Sequence, residues 1–305
     1  MYNLLSQQDK LVVVTGSNSG TGKEAARRLA GAGAQVIMAV RSLSKGHGAR
    51  KEILAQYPDA RLDVRHLDVA DLSSVRAFAE TLLTENRPLN ILVNNAGVMA
   101  PPERLVSVDG FELQFATNFL GPFSLTLRLL PLLRAAKEGR IATMSSSVAA
   151  VGTIRYKDLQ RERHYVPYLA YAQSKLADLL FAQQLARVAN QRGWNLMSNA
   201  AHPGFTRTNL LTAGASLGRG HQRPAWLTNL MFLASQGVGP GSEPLLYAAT
   251  SPDALSGAYY GPGRLFGLVG PTTLVRVPRS ARHDGDGARL WQVAEELTGV
   301  ALSDA

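Results

Sequence analysis

Short apolar runs alternate with helical patterns along the first two thirds of the chain. The first run, "LVVVT" at residues 11–15, is β-branched and ends in glycines, and residues 23–29 then place apolar side chains at helical spacing. The alternation continues through further strand-like segments, which are "AQVIMAV", "ARLDVRHLDV", "LNILVNNAG", "GRIATMSS" and "WNLMSNAAHPG". Buried strands that alternate with helices predict a mainly parallel sheet covered on both faces. We therefore expect an α/β protein with the doubly wound (Rossmann) fold.

The pattern contains no Pro/Ser-rich linker and no change of composition, so we expect a single domain over residues 1–305. After Gly204 the alternation weakens, and residues 205–250 are predicted to be a substrate loop or lid within that domain. A helix packed on the core is the alternative for the apolar group in this segment, Trp226, Leu227, Leu230, Met231 and Phe232. The terminal "GARLWQVAEELTGV" predicts an amphipathic helix that buries Leu290, Trp291, Ala294 and Leu297.

Composition excludes several classes of site. The chain has no cysteine, so disulfides, thiolate metal sites and cysteine nucleophiles are ruled out, and we expect no metal. The net charge of +9 favours anionic partners, but the arginines are scattered and their densest cluster lacks interleaved aromatic residues, so we expect no nucleic-acid partner. No signal peptide and no apolar stretch of about 18 residues is present, which predicts a soluble, cytoplasmic protein without a membrane partner.

A glycine-rich turn follows the first predicted strand and opens the first helix. This turn, "TGSNSGTG" at residues 15–22, lets the backbone approach a pyrophosphate, whose charge the free N–H groups at the helix start stabilise. A tight connection without a ligand is the alternative for such a turn, but its position directly between strand and helix favours a dinucleotide. The residues expected to contact the cofactor here are Gly16, Ser17, Asn18, Ser19, Gly20, Thr21 and Gly22.

The end of the second predicted strand indicates which dinucleotide binds. NAD sites usually carry a carboxylate there for the ribose hydroxyls, whereas an arginine can accommodate a 2′-phosphate. This chain has Val40, Arg41 and Ser42 at that place and no acidic residue. We therefore predict that NADP(H) is preferred over NAD(H), with Arg41 and Ser42 at the 2′-phosphate.

Three tyrosines at a spacing of three precede a lysine in "YVPYLAYAQSK", residues 165–175. Pro167 is best tolerated in the first turn of a helix, which places Tyr165 before that helix. Tyr171 and Lys175 are one turn apart and share a face, whereas Tyr168 is two turns from the lysine. An ammonium close to a phenol favours the phenolate and lowers the pKa of that tyrosine, so the spacing favours Tyr171 as a catalytic acid, with simple packing as the alternative for these rings.

Seven motifs in order along the chain resemble those of the short-chain dehydrogenase/reductase family. They are "TGSNSGTG", "LDV" at residues 67–69, "NNAG" at residues 94–97, "ATNFLGPF" around Asn118, "RIATMSSS" at residues 140–147, "YAQSK" and "HPGFTRT". The resemblance runs through nearly the whole chain and implies a catalytic set of Asn118, Ser146, Tyr171 and Lys175. It also implies further cofactor contacts from Asp68, Val69, Asn95, Ala96, Gly97, Tyr171, Lys175, Pro203, Gly204, Thr206 and Thr208.

The resemblance also assigns roles within the catalytic set. Tyr171 would supply the proton, Ser146 would orient the substrate oxygen, and Asn118 would hold a water that links Lys175 to solvent. Counting along the fifth strand selects Ser146, with Ser147 as the alternative, and at least one of the three consecutive serines is expected to bond local backbone. We expect His202 to be structural or next to the cofactor, because Tyr171 already carries the proton.

Two departures from the family pattern stand out. Thr21 occupies a position where the family commonly has isoleucine, and the spacing of 25 positions between Ser146 and Tyr171 is longer than usual. The extra segment, "GTIRYKDLQRERHY", resembles the longer loop of the retinol-dehydrogenase-like branch. Relatives in that branch often carry an N-terminal membrane anchor, which we do not expect here, so retinoid chemistry does not follow from the resemblance.

The expected function is that of an NADPH-dependent carbonyl (ketone or aldehyde) reductase and reversible alcohol dehydrogenase that acts on a fairly apolar small molecule. The alternative is a catalytically silent dinucleotide-binding sensor or scaffold. Assembly as a homo-oligomer stays open.

Overall fold

The computed structural model describes residues 2–206, 235–283 and 285–302. Its centre is one eight-stranded sheet with the order β3-β2-β1-β4-β5-β6-β7-β8. The strands are β1 (Leu11–Thr15), β2 (Gln35–Val40), β3 (Arg61–His66), β4 (Ile91–Asn94), β5 (Gly139–Met144), β6 (Leu196–Ala201), β7 (Tyr259–Arg264) and β8 (Val269–Leu274).

Neighbouring strands from β3 to β7 pair in parallel, and β8 pairs antiparallel with β7. The order reverses between β1 and β4, which creates the crevice at the carboxyl ends of the strands where doubly wound folds bind ligands. The predicted fold class is therefore confirmed. The β7–β8 hairpin was not predicted, because its glycines and prolines interrupt the apolar pattern.

Helices cover both faces of the sheet. One layer consists of α1 (Gly20–Gly31), α2 (Leu43–Leu54) and α7 (Val238–Thr250), and the other of α3 (Leu72–Glu85), α5 (Gly121–Ala135), α6 (Pro167–Gln191) and α8 (Asp286–Thr298). A short helix, α4 (Leu113–Phe115), continues through a π turn (Ala116–Leu120) into α5. Successive strand side chains point to opposite faces, so Val12 and Val14 pack in the first layer, and Leu11 and Val13 in the second.

Part of the predicted lid segment belongs to the core. Residues 238–250 form helix α7, whose Leu245, Leu246 and Ala249 are buried against the sheet and α1. This part is therefore a packed helix and not a loop, because its small and apolar residues fit the space between α1 and the sheet. Residues 207–234, with Thr208 and the apolar group Trp226, Leu227, Leu230, Met231 and Phe232, lie outside the described residues.

The C-terminal helix α8 packs as its pattern predicts. Leu290, Trp291 and Ala294 are buried, and Leu297 is partly buried. The Trp291 ring lies 5.2 Å from the ring of Phe123 on α5. Within the residues that the structure describes, none of the helices has the length and apolarity needed to cross a membrane.

Candidate active site

The sequence motifs converge at the carboxyl ends of β1, β4, β5 and β6. Gly16 follows β1, Asn95 follows β4, Ser146 follows β5 and His202 follows β6. Because these strands are neighbours in a parallel sheet, their carboxyl ends lie along one edge. The chain thus brings to one place residues that are up to 186 positions apart in sequence.

The glycine-rich turn has the geometry of an anion cradle. Gly16 has φ +65° and a Cβ at this position would lie 2.8 Å from the Cα of Ala96, so only glycine fits. A Cβ at Gly22 would lie 2.5 Å from the carbonyl oxygen of Gly16 and would meet the side-chain amide of Asn95. Helix α1 begins here with Ser19 as its N-cap but without a side-chain capping bond, so its first N–H groups are available to an anionic ligand.

Hydrogen bonds join this turn to the segment after β4. The Thr15 hydroxyl accepts from the N–H groups of Asn95 and Ala96, both at 3.0 Å, and Asn95 Nδ2 donates to the Thr15 carbonyl at 3.0 Å. Thr21 Oγ1 donates to Asn95 Oδ1 at 2.8 Å. Thr21 therefore contributes a hydrogen bond that an isoleucine at this position could not make.

The tip of β2 carries an exposed cation. Arg41 directly follows the strand, and within the described residues its guanidinium has no hydrogen bond or ion pair. Ser42 is the N-cap of α2 and accepts a hydrogen bond from the N–H of Lys45 at 3.5 Å. The first turn of α2 contains no acidic residue. The combination leaves a positive environment at this strand end.

The predicted cofactor contacts Asp68 and Val69 lie after β3. The Asp68 carboxylate accepts from the N–H of Ala70 at 3.0 Å, so it shapes its own turn. The Val69 carbonyl oxygen would overlap a Cβ at Gly121, the first residue of α5. Glycine at this position therefore allows α5 to approach the turn at Asp68 and Val69 closely.

Asn118 lies in the π turn before α5, where such irregular turns often mark functional sites. Its Oδ1 accepts from the N–H of Val98 at 2.8 Å, and its Nδ2 donates to the Val98 carbonyl at 3.0 Å and to Ser174 Oγ at 2.8 Å. All side-chain polar groups of Asn118 are thus engaged with protein. The amide joins the segment after β4 to helix α6, and Gly97 in that segment lies against both Asn118 and Lys175.

The three consecutive serines have different environments. Ser145 is buried, and its hydroxyl donates to the carbonyl oxygen of Lys175 at 2.6 Å, so it is the serine that bonds backbone. Ser146 caps the 3₁₀ turn Ser147–Val151, where its hydroxyl accepts from the N–H of Val148 at 3.4 Å, and its effect on the nearby Tyr171 is to lower the pKa of that phenol. Ser147 faces a neighbouring cavity that is also lined by His202 and Tyr259. The structure therefore brings Ser146 to Tyr171, as the counting along the strand predicts.

Helix α6 begins at Pro167, as predicted, and places Tyr171, Ser174 and Lys175 towards the sheet. The Lys175 ammonium donates to the carbonyl oxygen of Met144 at 2.7 Å and to Asp178 Oδ2 at 2.8 Å. Its Nζ atom lies 5.9 Å from the centroid of the Tyr171 ring. The lysine is therefore anchored at the end of β5, beside the tyrosine.

The pKa of Tyr171 is raised from its ordinary value, because burial disfavours the phenolate more than its neighbours favour it. Lys175 and Ser146 act in the opposite direction and lower the pKa, whereas the charge of Asp178 raises it. The effect of Lys175 has the sign expected from the helix spacing. The net direction is opposite to that expectation, because helix spacing gives no information on burial or on Asp178.

The other two tyrosines are not equivalent to Tyr171. Tyr165 donates to the carbonyl oxygen of Pro101 at 3.0 Å and accepts from Gln114 Nε2 at 3.1 Å, which holds the extended loop against the start of α4. Burial raises the pKa of Tyr165, so it stays a neutral hydrogen-bonding group. Tyr168 is 46% exposed and its ring lies 6.5 Å from that of Tyr171. It borders the catalytic ring from the solvent side.

The segment after β6 is built for close packing. Burial lowers the pKa of His202 to about 4, so this histidine is neutral near pH 7, and its ring lies 5.1 Å from that of Tyr259. Gly204 has φ +62° and contacts the carbonyl oxygen of Leu268, and Thr206 Oγ1 donates to the carbonyl oxygen of Pro203 at 2.5 Å. His202 is therefore a packed, uncharged residue.

The arrangement fits a dinucleotide. Gly16 and Gly22 leave space that a Cβ would fill, the start of α1 has no side-chain capping bond, and the buried Ser17 hydroxyl has no hydrogen-bond partner within the described residues. Pyrophosphate oxygens are acceptors that match these free donors. Among the described residues, no group of three His, Asp or Glu side chains forms a metal site.

Sequence reasoning missed two buried groups at the catalytic end. Asp178 pairs with Lys175, and the Tyr259 hydroxyl donates to the carbonyl oxygen of Ser146 at 2.9 Å. The signal for Asp178 was a charged residue inside the apolar stretch "LADLLF", three positions after the lysine. Tyr259 had no local signal, because it lies 113 residues from Ser146.

Comparisons with known proteins agree with this geometry. The short chain dehydrogenase family profile matches residues 10–216. Mouse retinol dehydrogenase 12 is 37% identical over 95% of this chain and 87% of its own length. Mouse polyprenol dehydrogenase is also 37% identical, over 98% of this chain and 87% of its own length.

Solved structures give the same result. A protein of Mycobacterium paratuberculosis has a TM-score of 0.81 at 39% identity, covering 99% of this chain and 97% of that one. A short chain dehydrogenase of Escherichia coli CFT073, solved with NADPH, has a TM-score of 0.59 at 25% identity, covering 84% and 96%. The chain therefore belongs to the short-chain dehydrogenase/reductase family, with retinol dehydrogenases among its relatives, and is an NAD(P)-dependent oxidoreductase that acts on CH–OH and C=O groups.

Proposed function

We propose that the protein is an NADPH-dependent reductase of apolar ketones or aldehydes that also oxidises the corresponding alcohols. The observation that carries the cofactor preference is Arg41, which is exposed at the tip of β2 without a partner among the described residues and with no acidic residue beside it in the sequence. Its guanidinium, together with the acid-free start of α2, suits a 2′-phosphate and would leave the ribose hydroxyls of NADH without a carboxylate partner.

An apolar substrate is supported by the surroundings of the site. A cavity of about 330 Å³ opens beside Ser147 and is lined mainly by side chains of the β7–β8 hairpin, including Tyr259, Pro262, Phe266 and Leu274. Such a lining favours a small molecule with an apolar body. The relatives named retinol dehydrogenase and polyprenol dehydrogenase are named for apolar alcohols, which agrees with this class.

The catalytic residues have separable tasks in this proposal. Bound NADPH supplies the hydride to the carbonyl carbon. The Tyr171 hydroxyl gives its proton to the carbonyl oxygen, and the Ser146 hydroxyl donates a hydrogen bond to the same oxygen and orients it. Asn118 holds the segment after β4 against α6 through Val98 and Ser174, and Lys175 places a positive charge beside the phenol.

The raised pKa of Tyr171 fits the direction of reduction. A phenol that keeps its proton at neutral pH is the form that can protonate a substrate oxygen. Alcohol oxidation needs the phenolate, so its rate should rise with pH while reduction is favoured at lower pH.

The cofactor preference is tested by replacing Arg41 with glutamate. NADPH and NADH binding are measured by fluorescence titration, and turnover is followed by NADPH absorbance with a panel of apolar aldehydes and ketones that includes retinal. We expect Arg41→Glu to weaken NADPH binding by at least about tenfold and to leave NADH binding nearly unchanged. The matched control is Arg187→Glu, an exposed arginine on α6 remote from β2.

An Arg41→Glu variant that retains the wild-type preference for NADPH would contradict the assignment of the 2′-phosphate site. Tight NADPH binding without turnover of any carbonyl compound or alcohol would instead favour the catalytically silent sensor.

A further inference from the structure

The catalytic lysine has a buried carboxylate partner three residues further along α6. Asp178 Oδ2 accepts a hydrogen bond from Lys175 Nζ at 2.8 Å, and the two side chains are only 1% and 4% exposed. The other acceptor of the ammonium is the carbonyl oxygen of Met144, at the end of β5. An ammonium has three N–H donors, so these two bonds fix its place and leave one donor for a ligand.

The site therefore holds two opposite charges next to one phenol. Lys175 lowers the pKa of Tyr171 and Asp178 raises it. A buried charge without a partner of opposite sign is costly. The Asp178 carboxylate supplies that partner, so it both anchors the Lys175 ammonium and offsets its charge. Asp178 Oδ1 has no hydrogen-bond partner within the described residues, so the carboxyl interacts with the site through Oδ2 alone.

We propose that Asp178 is a positioning residue that anchors the Lys175 ammonium at the end of β5 and opposes its charge at Tyr171. The proposal deepens the proposed function, on which it rests, because it concerns the tyrosine that exchanges the proton with the substrate. Asp178 acts only through Lys175 and Tyr171, and no contact of its own with substrate or cofactor is assigned to it.

The titratable groups around Asp178 and Tyr171 show which charges act on the Tyr171 phenol. Within the described residues, Lys175 is the charged group that acts on the Asp178 carboxyl, and burial raises the pKa of that carboxyl to about 7. The charge of Asp178 also raises the pKa of the Tyr259 phenol on β7, and the ring of the neutral His202 lies 5.1 Å from the Tyr259 ring. Tyr168 flanks Tyr171 on the same helix. Asp178 is thus the negative group of this cluster.

The test is the pH profile of alcohol oxidation by Asp178→Asn. Oxidation requires the Tyr171 phenolate, so kcat/KM rises with pH along a limb set by the pKa of Tyr171. Removing the negative charge of Asp178 favours the phenolate, so we expect this limb to move to lower pH by about one pH unit, at the low end of the effect of a nearby charge. At a pH below the limb, kcat/KM of Asp178→Asn, expressed as a fraction of its own plateau, should therefore be about tenfold higher than that of the wild type.

The height of the plateau is a separate measurement. We expect it to fall, because the ammonium has lost one of its two anchors. A residue with only a structural role would lower the plateau without moving the limb. Asp178→Ser is a second neutral variant in case asparagine does not fold, and Asp253→Asn, an exposed aspartate, is the control that should leave the profile unchanged.

A second readout does not need turnover. The ionisation of Tyr171 is measured by ultraviolet absorbance titration as the difference between each protein and the same protein carrying Tyr171→Phe. We expect the midpoint of this difference to be lower in Asp178→Asn than in the wild type. A folded Asp178→Asn protein whose tyrosine midpoint and oxidation limb both coincide with those of the wild type would overturn the role of Asp178.

The two readouts also distinguish this inference from the proposed function. Absence of turnover in the wild-type protein together with a shifted Tyr171 midpoint would refute the reductase and support the action of Asp178 on the phenol. Normal turnover of the wild type, with an oxidation limb and a Tyr171 midpoint that do not shift in Asp178→Asn, would support the reductase and refute the role of Asp178.

Discussion

Gly22 offers a direct test of how the glycine-rich turn is built. A Cβ at this position would lie 2.5 Å from the carbonyl oxygen of Gly16 and would meet the Asn95 amide. Alanine would ordinarily stabilise a helix relative to glycine by about 0.5–1 kcal/mol. At Gly22 this gain is opposed by an overpacking cost of about 1–3 kcal/mol. Displacing Asn95 from its bond to the Thr15 carbonyl adds about 1 kcal/mol.

We therefore expect Gly22→Ala to lower the free energy of unfolding by roughly 1–3 kcal/mol in urea denaturation. The matched control is Gly48→Ala in the exposed part of α2, where the added Cβ meets no atom within 4 Å beyond its chain neighbours and the backbone of its own helix. That variant should be stabilised by about 0.5–1 kcal/mol, because only the helix gain remains.

Gly22→Ala should also change the binding of the cofactor. The displaced backbone at Gly16 and Asn95 borders the cradle, so NADPH binding by Gly22→Ala should weaken at least about tenfold in fluorescence titration, a loss of about 1.4 kcal/mol. Gly48→Ala should bind NADPH like the wild type. If Gly22→Ala were as stable as Gly48→Ala and bound NADPH with the wild-type dissociation constant, the close contacts inferred for this turn would be refuted.

Three further predictions concern the catalytic end. Tyr171→Phe should reduce turnover by about 10²- to 10⁴-fold in the NADPH absorbance assay, whereas Tyr168→Phe should change it by less than about threefold, and similar losses would contradict the distinction. Ser146→Ala should lower turnover by about 10²-fold while the dissociation constant of NADPH stays within about twofold, and near-full activity would rule Ser146 out. The pKa of His202 is lowered to about 4 by burial, so the unfolded chain binds an extra proton below about pH 6.5 and stability should fall as pH decreases from 6.5 to 4, by up to about 3 kcal/mol. Urea denaturation should show a weaker decrease for His202→Asn, and an equal decrease would exclude His202 as the source.

The fold could be predicted from local patterns because strand and helix periods are properties of short segments. The runs around β1 to β6 and the helices between them appear in the sequence in their observed order, and Pro167 marks the start of α6. The β7–β8 hairpin and α7 could not be predicted in the same way. Their residues include Pro244, Pro262 and several glycines, and their stability comes from packing against distant segments.

The environment of Tyr171 shows the limit of sequence spacing most clearly. The spacing of Tyr171 and Lys175 predicts their shared face, and the structure brings them together. The direction in which the pKa of Tyr171 moves depends on burial and on Asp178, which spacing alone does not reveal.

The sequence by itself determined the parallel sheet, the glycine-rich turn after β1 and the spacing of the tyrosine and lysine, because each depends on residues close together in the chain. Only the tertiary structure decided that Thr15 and Thr21 bond Asn95, that Asn118 joins Val98 to Ser174, and that Asp178 lies buried against Lys175. Hydrogen bonds and charges act through space, and the distances between these groups are set by how the helices and strands pack.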